Sequence, residues 1–287
     1  MQIKAFFHPD SFTVTYVVWD ENTRDAVVID PVLDLNLLTW RVSRAHDDLV
    51  AEFARENSLR VRWIMDTHVH ADHLTGMADL KERFGAPTAI GRDITTVQEV
   101  FGGVFNAGED FKRDGSQFDR LLGDGEIIEA GSLAIEALHT PGHTPACMSF
   151  RIGDAVFTGD ALFMPDYGTG RCDFPKGSAE MLYESITKKL YTLPDTTRVF
   201  VGHDYMPNGR ELAFETTIGE SKERNIQLRA NTAKSDFVQF RTSRDKTLQP
   251  PRFILPSLQV NMRAGVLPEP EANGRRFLKM PLDLLGA

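Results

Sequence analysis

Within the stretch THVHADHLTG, residues 67–76, three of the chain's eight histidines and an aspartate fall inside six residues: His68, His70, Asp72 and His73. His68 and His70 are i and i+2, so an extended backbone sends both imidazoles to one side, while Asp72 and His73 fall where the chain turns toward a helix. Neutral imidazole and carboxylate are donors preferred by Zn(II), Fe(II) and Mn(II). A polar surface turn is the bland alternative, and it demands exposure or a partner for each of the four side chains. Three further segments extend the set. In HTPGHT a Pro141-Gly142 pair forces a tight turn that can fix the direction of His143, whereas His139 reads as a core or supporting histidine. The apolar run VFTG ends in Asp160, and VFVG ends in His203. Either of these alone is equally well a simple turn. If all four segments end on one sheet edge, up to seven ligands converge: His68, His70, Asp72, His73, His143, Asp160 and His203.

Elements on either side must place these residues. Phe12–Trp19 is β-branched and aromatic, Asp20-Glu21-Asn22 is turn-like, and Ala26–Ile29 follows, which predicts a hairpin. Asp47 to Asn57 predicts a helix with Leu49, Val50, Phe53 and Ala54 on one face and two aspartates in its first turn, where the dipole favours them. Val61–Met65 is a short apolar strand leading into the histidine stretch. Beyond it Met77, Leu80 and Phe84 recur at helical spacing until Gly85 and Pro87 stop the helix. Phe101 to Gly125, rich in glycine and acid with weak periodicity, is expected to be a loop or lid. Further strands are expected at Leu133–Ala137, Cys147–Ile152, Ala155–Thr158 and Arg198–Val201, and a helix at Ser178–Leu190 with Leu182, Ile186 and Leu190 on one face. Six of the 15 prolines lie between Pro250 and Pro281, so the segment from about 205 is expected to be helical to about Arg241 and irregular afterwards.

At 287 residues and 41% hydrophobic the chain can bury a full core. No repeat and no linker-like stretch divides it, so residues 1–287 are read as one domain. The balance of 32 basic against 41 acidic residues, a net of −9, without a polybasic run, argues against nucleic acid or an anionic membrane as partner. No charged head with an apolar segment opens the chain and no 18 apolar residues run together, which leads to the expectation of a cytoplasmic protein. Cys147 and Cys172 are too few for a disulfide framework and are not spaced as a thiolate metal site.

The order H-x-H-x-D-H followed by a distant His, Asp and His resembles the metallo-β-lactamase superfamily over about residues 12 to 205. That resemblance implies an α/β fold, the αβ/βα sandwich, with the metal at one sheet edge. THVHADHLTG, HTPGHTPACMSF, FTGDALF, GRCDFPKGSAEMLYESI and GHDY are most similar to the persulfide dioxygenase branch, with glyoxalase II as the nearest neighbour. In the dioxygenase branch one Fe(II) is held by the counterparts of His68, His143 and Asp160. It oxidises glutathione persulfide with O2 to sulfite and glutathione. His70, Asp72, His73 and His203 then orient ligands or hold water, with Asp72 and Tyr205 as catalytic candidates. Tyr205 matches the tyrosine near the substrate sulfur, while an ordinary packed tyrosine is its plain alternative. Arg171 and Asp173 match an Arg-x-Asp segment that anchors the loop or the tripeptide's carboxylates.

The same ligands also permit a glyoxalase-II-like hydrolase, with His68, His70 and His143 on one metal, Asp72, His73 and His203 on a second, and Asp160 bridging. A non-catalytic metal-binding module is the third alternative. Nuclease and flavin-linked diiron relatives are not expected, for want of their additional domains. The turn from Ala161 to Asp173 is longer than in the mitochondrial members of the branch, and its cysteine follows the arginine, so Cys172 inherits no role. Extra residues around Asp34–His46 and the 101–125 segment are expected to reshape the substrate entrance, which leaves the thiol carrier open, as is homo-oligomerisation.

Overall fold

The computed structural model describes residues 1–282. Its first half contains β1 (Gln2–His8), β2 (Thr13–Trp19), β3 (Asp25–Ile29), β4 (Val32–Asn36), β5 (Arg41–Ser43), α1 (Ala45–Glu56), β6 (Arg60–Met65), β7 (Leu74–Thr75) and α2 (Met77–Phe84). β8 (Thr88–Gly91), α3 (Ile94–Val104) and β9 (Arg120–Leu122) complete it. The second half contains β10 (Glu126–Ala130), β11 (Leu133–His139), β12 (Met148–Ile152), β13 (Ala155–Phe157), α4 (Ala179–Lys188) and β14 (Arg198–Phe200). β15 (Glu215–Thr217), α5 (Ile218–Arg224), α6 (Lys234–Asp245) and α7 (Ile254–Asn261) follow.

Two mixed sheets carry the fold, one in the order β1-β2-β3-β6-β8-β9 and the other β10-β11-β12-β13-β14-β15. β2 and β3 pair antiparallel as the expected hairpin. β3, β6, β8 and β9 run parallel, as do β13 and β14. Alternation along β2 explains the layering. Val14, Tyr16 and Val18 join Ile135, Phe150, Phe157 and Phe200 in the core between the sheets, while Val17 turns outward to a core that includes Val50, Leu80 and Val97 from α1–α3. Leu182, Ile186 and Leu190 bury the outer face of the second sheet together with Phe237 of α6. Helices thus cover both outer faces, the αβ/βα sandwich.

Several boundaries differ from the sequence expectation, each for a physical reason. Leu49 is 55% exposed; α1 buries His46, Asp47, Val50 and Ala54 instead, since polar groups near the centre take up part of the helix's inner face. The 101–125 segment is not a lid: α3 runs to Val104, and Phe101, Phe105, Phe111 and Phe118 anchor the rest in the core. Four buried aromatics outweigh the glycines and acids between them. Asp34–His46 forms the β4–β5 ribbon, paired with β7. The chain beyond Arg241 is not uniformly irregular, because α7 forms after two prolines. Pro256 is tolerated in its first turn, where the N–H has no intrahelical partner. As expected, α2 ends at Gly85, whose φ of +63° is the left-handed cap conformation. Among the described residues no helix is long and apolar enough to cross a membrane.

Candidate metal centre

All four ligand-bearing segments leave the C-terminal ends of strands. His68–His73 follow β6, Asp160 follows β13, and His203 follows β14, while His143 sits in the turn after β11. Backbone proximity draws the last two strand ends together: Gly202 N–H donates to Gly159 O at 3.1 Å. A Cβ on Gly159, whose φ is +49°, would meet Thr67 Oγ1 at 2.4 Å, so only glycine fits where Asp160 must approach the histidine stretch.

Hydrogen bonds fix which nitrogen of each imidazole is bare. Thr67 Oγ1 gives its proton to Asp30 Oδ2 (2.9 Å), so it accepts from His68 Nδ1–H (3.0 Å) and leaves His68 Nε2 free. Arg171 O accepts from His143 Nδ1–H (2.6 Å), freeing His143 Nε2. His70 donates Nε2–H to Asp30 Oδ1 (3.1 Å), and its Nδ1 is buried without a partner. His73 Nε2 and Asp160 Oδ1 are likewise buried and accept no hydrogen bond, although His203 Nε2 lies 3.2 Å from that oxygen. Orphaned acceptors of this kind are costly unless a cation fills the space between them.

Two groups have donor atoms all within 4.8 Å of one another: His68, His143 and Asp160, and then His70, Asp72 and His203. Nitrogen and carboxylate donors without thiolate fit Fe(II), Zn(II) or Mn(II). A third group, Asp30, Asp66 and His70, lies beneath, and Asp30 already accepts from Thr67 and His70. Burial, reinforced by His70, holds His68 well below the usual histidine range; burial and His73 do the same for His70. Both are neutral and able to ligate. Burial alone would raise Asp72, but His203 and His73 outweigh it and keep the carboxyl well below its ordinary value. Asp30, desolvated by burial, is pushed up to about 6 despite its bonds to Thr67.

A cavity of about 540 Å³ opens over the first group, bordered by Asp72, His143, Asp160, Arg171 and Tyr205 among others. That volume lies within the roughly 300–1,000 Å³ range of small-molecule sites. Tyr205 stacks on His203 (5.6 Å, 15°) and Tyr167 (4.7 Å, 30°). Tyr205 is 36% exposed at the cavity, and the partial desolvation of its phenol, followed by Asp160 and Asp72, still raises it above the ordinary tyrosine value, so it keeps its proton. Arg171 forks onto Asp173 at 2.6 and 2.5 Å, which places Asp173 as the arginine's anchor and off the cavity wall. Neither the 101–125 segment nor Asp34–His46 borders the cavity; the end of α6 does so through Arg244, and the loop from α6 to α7 through Leu248 and Arg252. His139 stands apart, between Pro145 O (2.9 Å) and Asp93 (3.2 Å). Cys147 and Cys172 are buried and unpaired, and burial pushes the Cys147 thiol up to about 12.

Sequence reasoning missed several supporting residues. Asn261 Nδ2 donates to the carbonyls of both His70 and His73 at 2.8 Å, and its Oδ1 accepts from Thr75 N at 2.8 Å. Asp30 follows an apolar strand as Asp160 does, a signal that could have singled it out. Asn261 carries no such signal, since 188 positions separate it from His73.

The family described as the metallo-beta-lactamase superfamily matches residues 8–203. A "Probable metallo-hydrolase" of Burkholderia pseudomallei is 49% identical over 99% of this chain and 100% of its own length. "Glyoxylase B2" of Dictyostelium discoideum is 44% identical over 99% and 98%. "Persulfide dioxygenase ETHE1, mitochondrial" of Homo sapiens is 33% identical over 92% and 89%. Among solved structures, ETHE1 from Myxococcus xanthus superposes with a TM-score of 0.74 at 33% identity, covering 93% of this chain and 100% of that one.

Proposed function

The chain belongs to the metallo-beta-lactamase superfamily, and on that footing we propose that it is a persulfide dioxygenase acting on glutathione persulfide at one ferrous ion held by His68, His143 and Asp160. The observation that carries this is the convergence of two imidazoles and one carboxylate within 4.8 Å, under a cavity whose wall includes Tyr205 and Arg171. Two histidines and one carboxylate on one face are the donor set of O2-using ferrous sites. The iron would supply vacant positions where a persulfide sulfur and O2 meet.

The remaining chemistry belongs to the chain. The balanced reaction, persulfide (RSSH) plus O2 plus water giving thiol (RSH), sulfite and two protons, needs groups that bind sulfur and accept protons. Tyr205 keeps its proton and can donate a hydrogen bond to an anionic sulfur. Arg171 presents a fixed cation to a carboxylate of the carrier, and Asp72, ionised and bordering the cavity, is the proton acceptor. Asn261 and Thr67 hold the histidine stretch in register.

A second reading has its own support. His70, Asp72 and His203 also converge within 4.8 Å, and the relatives called "Glyoxylase B2" and "Probable metallo-hydrolase" are 44% and 49% identical, which favours a two-metal thioester hydrolase. Oxygen uptake by anaerobically iron-loaded protein given glutathione persulfide, with a thioester control, separates the two. Sulfite formation supports the dioxygenase, and thioester cleavage with two metals bound overturns it. No turnover of either substrate leaves a binding module.

A further inference from the structure

We infer that Arg210 positions the tyrosine wall of the cavity by gripping at once the two loops that carry Tyr167 and Tyr205. Its guanidinium donates to both carboxylate oxygens of Asp166 through Nε–H and Nη2–H, the second at 3.0 Å. It donates to both oxygens of Asp204 through Nη1–H and Nη2–H, at 2.7 and 2.6 Å. Asp166 and Asp204 immediately precede Tyr167 and Tyr205, whose rings stack 4.7 Å apart at 30° and border the cavity. One planar cation therefore ties the two backbones together one residue before each ring.

The grip on Asp204 is the deeper one. That side chain is 1% exposed, against 45% for Asp166, and it also accepts from the amides of Met206 (3.3 Å) and Ala213 (2.8 Å). A carboxylate so buried needs a cation as well as donors for its lone pairs, and Arg210 is that cation. Asp204 N–H donates to Phe12 O at 3.1 Å, and the Phe12 ring packs on Tyr205 at 5.5 Å. Between Tyr205 and Arg210 the chain doubles back through Met206 and Asn208, whose φ of +46° and +58° are left-handed conformations that cost energy in residues with a side chain. The pair of Arg210 with Asp204 holds that turn closed. Arginine suits the task because two edges of its fork each match a carboxylate, whereas lysine offers a single point of charge.

The loop of Tyr167 is itself a fixed frame. Gln227 Nε2 donates to Tyr167 O at 2.7 Å, and its Oε1 accepts from Thr169 N at 3.1 Å and from buried Arg241 Nη1 at 2.9 Å. Arg210 refers the Tyr205 loop to this frame, and so sets the height and tilt of the Tyr205 ring over the cavity. A phenol that meets the substrate tolerates little error, since a displacement of about 1 Å can cost a large part of the rate. The kinetic half of this inference rests on the reading of Tyr205 as a donor to the substrate sulfur. The structural half, the register of the two rings, does not.

Two measurements test it. Fluorotyrosine labelling of the metal-free protein gives 19F signals for Tyr16, Tyr167, Tyr183, Tyr191 and Tyr205, with Tyr167 and Tyr205 assigned from their phenylalanine variants. Arg210→Lys, and Asp166→Asn, which leaves the deeper pair with Asp204 in place, are expected to shift the signals of Tyr167 and Tyr205 and not the other three. Unmoved Tyr167 and Tyr205 signals in both variants overturn the inference without reference to any activity. In metal-loaded protein, on whichever substrate turns over, both variants are expected to lose roughly tenfold in kcat/KM with metal content unchanged. Added to Tyr205→Phe, Asp166→Asn should cost less than about twofold more, because the group it positions is already gone. A loss fully additive with that of Tyr205→Phe, or one that tracks lost metal, overturns the positioning role. A Tyr205→Phe enzyme of full activity overturns instead the part assigned to the phenol in turnover, and the 19F signals then decide the inference alone.

Discussion

Replacing Asn261 with alanine should loosen the centre without touching a ligand. The side chain is 1% exposed and makes three bonds of 2.8 Å, to the carbonyls of His70 and His73 and from the amide of Thr75. Its removal orphans two buried acceptors and one buried donor, each costing about 1–3 kcal/mol. The vacated amide leaves room for one water to recover part of this, so the lower figure applies and the expected loss is about 3 kcal/mol in all. Urea unfolding of the metal-free protein reads that loss directly. Because the same bonds hold the turn between His70 and His73, metal affinity should fall by about tenfold or more, read by competition with a chelator. Asn261→Asp sharpens the test: it keeps an acceptor for Thr75 but turns a carboxylate toward two carbonyls, so near neutral pH it should be at least as damaging as alanine, with partial recovery in acid. A loss under about 0.5 kcal/mol with unchanged metal affinity, the range of ordinary surface substitutions, would refute the positioning role.

Other outcomes follow from the same geometry. Asp160→Ala removes a donor common to both enzyme readings and should cut turnover by roughly three orders of magnitude or more, with loss of bound metal. His203→Ala should leave about one metal per chain if the first group alone binds iron; metal analysis falling from two to one points to the hydrolase. Gly159→Ala forces a Cβ to within 2.4 Å of Thr67 Oγ1 at φ +49° and should cost about 2 kcal/mol or more in unfolding free energy. His46 is held neutral, lowered from 6.5 to about 4. The unfolded chain therefore binds the extra proton first: the contribution is complete above 6.5 and is lost as pH falls toward 4, by up to roughly 3 kcal/mol. His46→Gln should flatten that part of the stability profile, and an unchanged slope between pH 6.5 and 4.5 contradicts the assignment.

The centre was legible because its residues are concentrated in the chain. His68 to His73 occupy one turn, a Pro-Gly pair precedes His143, and Gly-Asp and Gly-His each end an apolar run; each of the last two alone is equally well a simple turn, and only the set taken together singled out His143, Asp160 and His203. The hairpin and the helix stopped by Gly85 were legible for the same reason. What was not legible depends on distant partners. Phe111 and Phe118 look like loop residues until a core forms around them, and α7 is hidden by its prolines although Pro256 sits where a helix has a free amide. Thr13 is unremarkable in sequence; its bridge to His203 brings it to the metal side. Arg171 was singled out for its side chain, yet its carbonyl also orients His143, which residue type cannot reveal.

The most direct test of a single-iron dioxygenase is the metal count and product balance of one preparation. Protein loaded anaerobically with iron and given glutathione persulfide should hold about one iron per chain and form one sulfite for each O2 consumed. Two metals per chain, no O2 uptake and rapid cleavage of a glutathione thioester would contradict it.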